Sequence, residues 1–141
     1  MASIRSRIGG DMEDRYLFKA KHIHILPCND HLDGSWVVGF LSGERYIAND
    51  IGEYLIDPST ICQCTGLKDK NGKLIWENDI MVAHYDKDNP EDVTYAIVAW
   101  RENGWATIEN DSVDLNQIDD FTTENFEVVS TRFDNPELLE V

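Results

Sequence analysis

Between Met12 and Leu26 the residues alternate in part, and His22, Ile23, His24 and Ile25 alternate cleanly with period two. An extended segment is therefore predicted there rather than a helix. Asn29–Gly34 (NDHLDG) has the composition of a loop. Ser35–Leu41 (SWVVGFL) predicts a strand that Ser42-Gly43 turns back towards Arg45–Ile47. Ile51–Ile56 fits either a strand or a helical turn, and Pro58 ends it. Further on the pattern becomes regular. Thr65–Val82 (TGLKDKNGKLIWENDIMV) predicts a β-hairpin centred on Asn71-Gly72, because Asn and Gly tolerate the positive φ such a turn demands. Leu74–Trp76 and Ile80–Tyr85 are expected as strands flanking a second turn at Glu77-Asn78-Asp79. Val93–Trp100 and Trp105–Ile108 make another hairpin turned at Asn103-Gly104. Asp111–Phe121 is polar with irregular apolar spacing and reads as a short helix or loop. Phe126–Phe133 is a last strand, and Asn135-Pro136 opens a short turn through Leu139.

Roughly five strands in about 75 residues, joined by short links, have the rhythm of a small SH3-like or OB-like barrel. The expected fold is mainly β. Residues 1–11 are expected to be a flexible leader ahead of a start at Met12, residues 12–60 an amino-terminal β subdomain, and residues 61–141 an SH3-like barrel.

Composition narrows the function. With 42% hydrophobic residues the chain can bury a core and is not of the disordered class. No run approaches the ~18 apolar residues of a membrane span, and no apolar stretch follows the basic residues at the start, so no membrane association is expected. The formal charge is −15, and residues 102–141 hold eleven acids against Arg132 alone. Such a balance repels nucleic-acid phosphates; solubility is its simplest use. Three cysteines, Cys28, Cys62 and Cys64, make a disulfide framework improbable and point to reduced thiols in a cytoplasm.

The segment Asp57-Pro58-Ser59-Thr60-Ile61-Cys62-Gln63-Cys64-Thr65-Gly66-Leu67-Lys68-Asp69-Lys70-Asn71-Gly72-Lys73, followed by Ile75-Trp76-Glu77-Asn78-Asp79-Ile80, resembles the hallmark of the YopX-like proteins of phages and prophages. Tyr16–Lys21 with Trp36–Leu41 is similar to that family's amino-terminal part, and Glu127–Val129 with Asp134–Leu139 to its carboxyl end, so the resemblance spans Tyr16–Leu139. Cys64 stands where the family has an aromatic residue and Asn78 where it has Gly; Asn adopts left-handed backbone nearly as well, so the turn should survive. The resemblance implies a mainly β protein with an SH3-type barrel in its carboxyl half, a phage or prophage origin in a bacterial host cytoplasm, and a homo-oligomer. It implies no activity.

Candidate chemistry is sparse. His22 and His24 share one strand face and could reach one metal ion with Cys28, Asp30 or His31, but they complete no standard spacing; two exposed histidines are the simpler expectation. Cys62 and Cys64 likewise share a face and lack a second pair, so buried free thiols are expected. Asp86–Asp92 opens like a calcium loop, but Pro90 and Glu91 break the pattern. The acids from Glu109 to Glu127 cannot be paired by spacing alone. No nucleotide-binding or nucleophile-elbow motif is present, and no cofactor is implied. Trp100 and Trp105 flank one turn and should be cross-strand neighbours in a core or interface. The hairpin tip, Lys68, Asp69, Lys70, Asn71 and Lys73, is the candidate contact surface, because loops on rigid scaffolds often carry binding residues. The expected function is that of a non-enzymatic accessory protein that binds itself or a host or phage protein. The alternatives are a nucleic-acid-linked role using Lys68, Lys70, Lys73 and Arg101, and a metal-dependent enzyme built on His22 and His24.

Overall fold

Period-two alternation sorts the first strand. The computed structural model describes residues 16–23, 34–84, 88–89, 91, 93–101, 104–109, 115–118 and 120–139. In β1 (Phe18–Lys21), Phe18 and Ala20 share one face, while Leu17, Lys19 and Lys21 share the other. β1 is flanked antiparallel by β2 (Trp36–Leu41), with Lys19 opposite Val38, and by β5 (Cys62–Lys68), with Lys19 opposite Cys62. With β3 (Tyr46–Ala48), β4 (Glu53–Leu55) and β6 (Leu74–Trp76) they form a six-stranded sheet in the order β4-β3-β2-β1-β5-β6. Of Ile51–Ile56, ambiguous from sequence, Glu53–Leu55 is a strand and Ile51-Gly52 belongs to the turn before it.

This sheet curls on itself. After β4 the chain returns to β1: Ile23 N–H donates to Leu55 O (2.9 Å), Asp57 N–H donates to Lys21 O (2.9 Å), and His22 bridges Ile56. A 3-10 turn at Pro58–Thr60, capped by Asp57, follows and gives Thr60 Oγ1 to Lys21 N–H (2.8 Å). The curl encloses Ala20, Ile47 and Ile56, with Phe18, Val37 and Ile61 packed around them. Gly39 makes the tight curvature possible. A Cβ there would lie 2.9 Å from both Ile47 Cγ2 and the Ala48 carbonyl carbon, closer than packed atoms approach. Gly39→Ala should therefore cost about 2 kcal/mol through overpacking. A guanidinium unfolding midpoint equal to that of the native chain would contradict this.

The second sheet holds β7 (Asp79–Ala83), β8 (Thr94–Arg101), β9 (Gly104–Glu109), β10 (Leu115–Gln117) and β11 (Glu127–Thr131), all antiparallel, in the order β10-β9-β8-β7-β11. A short helix α1 (Asp120–Asn125) precedes β11, and a 3-10 turn at Pro136–Leu139 follows it, as the Asn135-Pro136 pair predicted. Leu115–Gln117 departs from the helix-or-loop expectation: β9 offers it a paired edge, Leu115 opposite Ile108, and local sequence carries no trace of that partner. No helix among the described residues is long and apolar enough to cross a membrane.

The fold is mainly β as expected, in two antiparallel sheets; among the described residues no pairing joins β10 to β11, so the second sheet is not closed into a barrel. The outer edge of β11 is already engaged. Its Val128 N–H donates to the Asp69 carboxylate (2.8 Å), and Phe126 O just before it accepts from Lys70 N–H (3.1 Å). The tip of the first sheet's hairpin therefore covers the edge that closure would need.

That hairpin joins β5 to β6, with Cys64 opposite Trp76 and Lys68 opposite Leu74. The expected third segment, Ile80–Val82, leaves it for the other sheet. The change of sheet falls at Glu77-Asn78, where Asn78 takes φ +69°, the left-handed conformation that Asn tolerates. Asn78 N–H donates to Val98 O (2.8 Å), and its carbonyl accepts from Arg132 N–H (3.0 Å), so the corner is tied to two elements of the second sheet. Ile75 and Trp76 point to opposite faces, as period two requires, and both are buried. Ile75 joins Met81, Ala83, Ala96, Val98 and Phe126; Trp76 joins Leu17, Cys62 and Cys64, with Phe133 reaching over from the second sheet. Residues 1–15, with the expected leader, lie outside the described residues, as does most of Asp86–Asp92.

Candidate functional site

The hairpin tip is shaped by Asp69. Its Oδ1 accepts from Asn71 N–H (2.8 Å) and Lys73 N–H (2.9 Å), an Asx arrangement that fixes the turn, while Oδ2 reaches across the molecule to Val128 N–H. Asp69 is buried. Asn71 is exposed, but its Nδ2 donates to Glu127 Oε2 (3.0 Å). Of the five tip residues proposed from sequence, Lys70 and Lys73 present exposed side chains to solvent and Lys68 is half-buried. Asp69 and Asn71 are turned to docking the two sheets. The tip is a latch whose outward chemistry is two lysines.

A second concentration of charge sits where the sheets meet. Lys19 Nζ lies 3.5 Å from Asp79 Oδ1, 4.6 Å from the centre of the Trp36 ring and 5.2 Å from that of Trp76. Asp79 is fully buried at the start of β7; its Oδ2 accepts from Trp76 N–H (2.8 Å), and Oδ1 has no hydrogen bond among the described residues. Burial pushes the Asp79 carboxyl up to about 6 from the usual 3.8, against the opposing pull of Lys19 and the Trp76 N–H. Next to it, Lys21 pairs with Asp134, which also accepts from Trp36 Nε1 (2.9 Å). Burial works to raise Asp134, but the bonds from Lys21 and Trp36 outweigh it and hold the carboxyl below its ordinary value. Sequence reasoning missed the Lys19–Asp79 pair. Its available signal was a lysine inside an apolar strand pattern, which a buried carboxylate must answer.

Cys62 and Cys64 are buried free thiols, as expected. Burial lifts Cys62 to about 11, although Asn78 Nδ2 lies 3.7 Å from its sulfur, so it is a poor nucleophile at neutral pH. His22 stands edge-on to Tyr54, ring centres 5.4 Å apart; His24, Cys28, Asp30 and His31 lie outside the described residues. Among the described residues no three His, Cys, Asp or Glu side chains gather where a metal ion could sit. Trp100 faces Trp105 across β8 and β9 with ring centres 5.0 Å apart, as predicted, but Trp100 is 57% exposed rather than in the core.

The remaining feature is apolar. On the β2–β3–β4 meander Phe40 is 52% exposed, Tyr46 41% and Leu41 40%, and Ile51 in the β3–β4 turn is 85% exposed. Phe40 lies opposite Ala48, and Tyr46 shares that face two residues away, whereas Leu41, opposite the buried Ile47, falls on the other face. Asn49 Oδ1 accepts from Ile51 N–H (2.9 Å) and Gly52 N–H (3.2 Å), so Ile51 is held outward by a built turn. An isoleucine inside an otherwise polar turn was the sequence signal for it.

Two antiparallel sheets latched by a hairpin, with Lys19–Asp79 and Lys21–Asp134 paired where the sheets meet and apolar side chains facing out, define a β scaffold that displays a surface. Residues 31–140 match the model of the family described as YopX protein, and the chain belongs to that family. No curated protein matches it.

Proposed function

We propose that this protein is a phage or prophage accessory protein that works by binding protein, and that its first partner is a second copy of itself. The exposed Phe40 and Tyr46 on one strand face, with the exposed Ile51 in the adjoining turn, carry this reading, because an apolar patch displayed by ordered strands and a capped turn loses free energy in water and gains it against another apolar surface. The phage setting is supported by membership of the YopX family.

Light scattering across a concentration series tests it. The native chain should show a mass above one chain at ~100 µM, and Ile51→Asp should return it to a single chain by weakening association at least about tenfold. Ile51 touches water on most of its surface, so the substitution should leave the unfolding midpoint within the error of the measurement. A single-chain mass for the native protein throughout, or an unchanged mass for Ile51→Asp, counts against self-association through this patch.

A further inference from the structure

The outer face of the second sheet carries a cleft of about 450 Å³ floored by Ile97, Ala99 and Ile108 and walled by the Glu77-Asn78 corner and by Leu139. Ile97, Ala99 and Arg101 alternate with the buried Ala96 and Val98, so this face is the one turned away from the core, and Ile97 pairs directly with Ile108 to make the apolar floor. The 3-10 turn at Pro136–Leu139 packs on β8 and closes one side.

Arg101 and Arg132 line this cleft, and they are the only Lys or Arg residues after Lys87. Both are exposed, and neither forms an ion pair among the described residues; Arg101 Nη1 donates only to the neighbouring Trp100 carbonyl (2.9 Å). Chain order does not bring them together. Arg101 ends β8, whereas Arg132 follows β11 and is placed by its own backbone N–H on Asn78 O. In a chain with formal charge −15, two guanidinium groups without carboxylate partners among the described residues, beside one apolar floor, form a local exception to the surrounding field. Guanidinium is the side chain best matched to carboxylate and phosphate, which it binds by paired N–H donors. Among the described residues that line the cleft Glu77 is the one carboxylate, and its Oε1 accepts from Gln63 N–H (3.2 Å).

We propose that this cleft binds a small organic anion, one carboxylate or phosphate group on an apolar body, with Arg101 and Arg132 holding the anionic group and Ile97, Ala99 and Ile108 the body. A polyanion is disfavoured by the same acidic field that surrounds the site. The proposal is independent of self-association, since Phe40, Tyr46 and Ile51 lie on the other sheet.

Titration of the full chain, methyl-labelled at isoleucine, with phenyl phosphate and separately with phenylacetate tests it by NMR. One or both should move the Ile97 and Ile108 methyl signals saturably below about 10 mM, and whichever does so identifies the anionic group the site takes. Inorganic phosphate and benzyl alcohol should each bind at least about tenfold more weakly, because each supplies half of the recognition. Arg101→Gln and Arg132→Gln should each weaken binding about tenfold or more while leaving the backbone spectrum intact, as fits exposed side chains. The proposal is overturned if neither anion saturates, if benzyl alcohol binds as tightly, if binding survives both substitutions, or if only a long acidic peptide or oligonucleotide binds.

Discussion

Asp69→Ala should lower the unfolding free energy by about 4 kcal/mol, the largest single-residue effect expected outside the hydrophobic core. The buried carboxylate accepts three backbone N–H groups, two within its own turn and one from Val128 on the other sheet. Bonds to a charged acceptor are worth about 1.5–3 kcal/mol each, but Asn71 and Lys73 N–H can recover part of the loss from water, which holds the sum to about 4. Val128 N–H cannot recover as easily, because it faces the covered edge of β11. Asp69→Asn retains one good acceptor and should cost about half as much. Lys70→Ala and Lys73→Ala, exposed on the same tip, should stay within about 0.5 kcal/mol. Denaturant unfolding checks the magnitudes, and amide exchange at Val128 checks the cause. Equal stability for Asp69→Ala, or native protection of the Val128 amide in that variant, would show that the tip does not latch the sheets.

Lys19→Met should destabilise the protein by about 3 kcal/mol at pH 7 and by distinctly less at pH 5. Removing the lysine strips the buried Asp79 carboxylate of its counter-charge while leaving an apolar stem between Trp36 and Trp76. The sign follows from the raised carboxyl. Asp79 holds its proton up to about pH 6 in the folded state, against 3.8 for an ordinary carboxyl, so between those values the folded state binds more protons than the unfolded one. Asp79 therefore contributes a penalty that is absent below about pH 4 and grows as pH rises through about 6. Without Lys19 the carboxyl moves higher still, and the penalty is larger at pH 7 but relieved by protonation on acidification. Asp79→Asn should flatten the pH dependence between 4 and 6 relative to the native chain. A Lys19→Met cost that is the same at pH 5 and pH 7 would exclude Asp79 as its origin.

The two variants also separate what was legible in the sequence from what was not. The Asn71-Gly72 turn, the strands on either side, the Trp100–Trp105 pair and the terminal turn after Asn135 are local: each is written in residues within a few positions of one another. The exit of Asp79–Ala83 into a second sheet was not legible, because Asn78 at φ +69° fits a hairpin turn and a sheet-changing corner equally well. Three-residue β10 was missed because its only support is a neighbour across the sheet. Asp69 was read as part of an outward tip. Its acidic side chain sits in a solvated-looking run, and its partner Val128 is 59 residues away. Arg101 and Arg132 looked unrelated for the same reason.

From sequence alone, this protein is determined to be mainly β, acidic, and a member of the YopX family, because alternation, turn residues, charge and a long motif are properties of the chain itself. Tertiary structure alone decides which strands share a sheet and why the carboxyl-terminal sheet stays open. It also decides which groups come together: Lys19 with Asp79, the Asp69 carboxylate with Val128 N–H, and Arg101 and Arg132 on the lining of one cleft. Each of these rests on non-local contact, which takes its energy from burial and pairing between distant segments and leaves no periodicity behind.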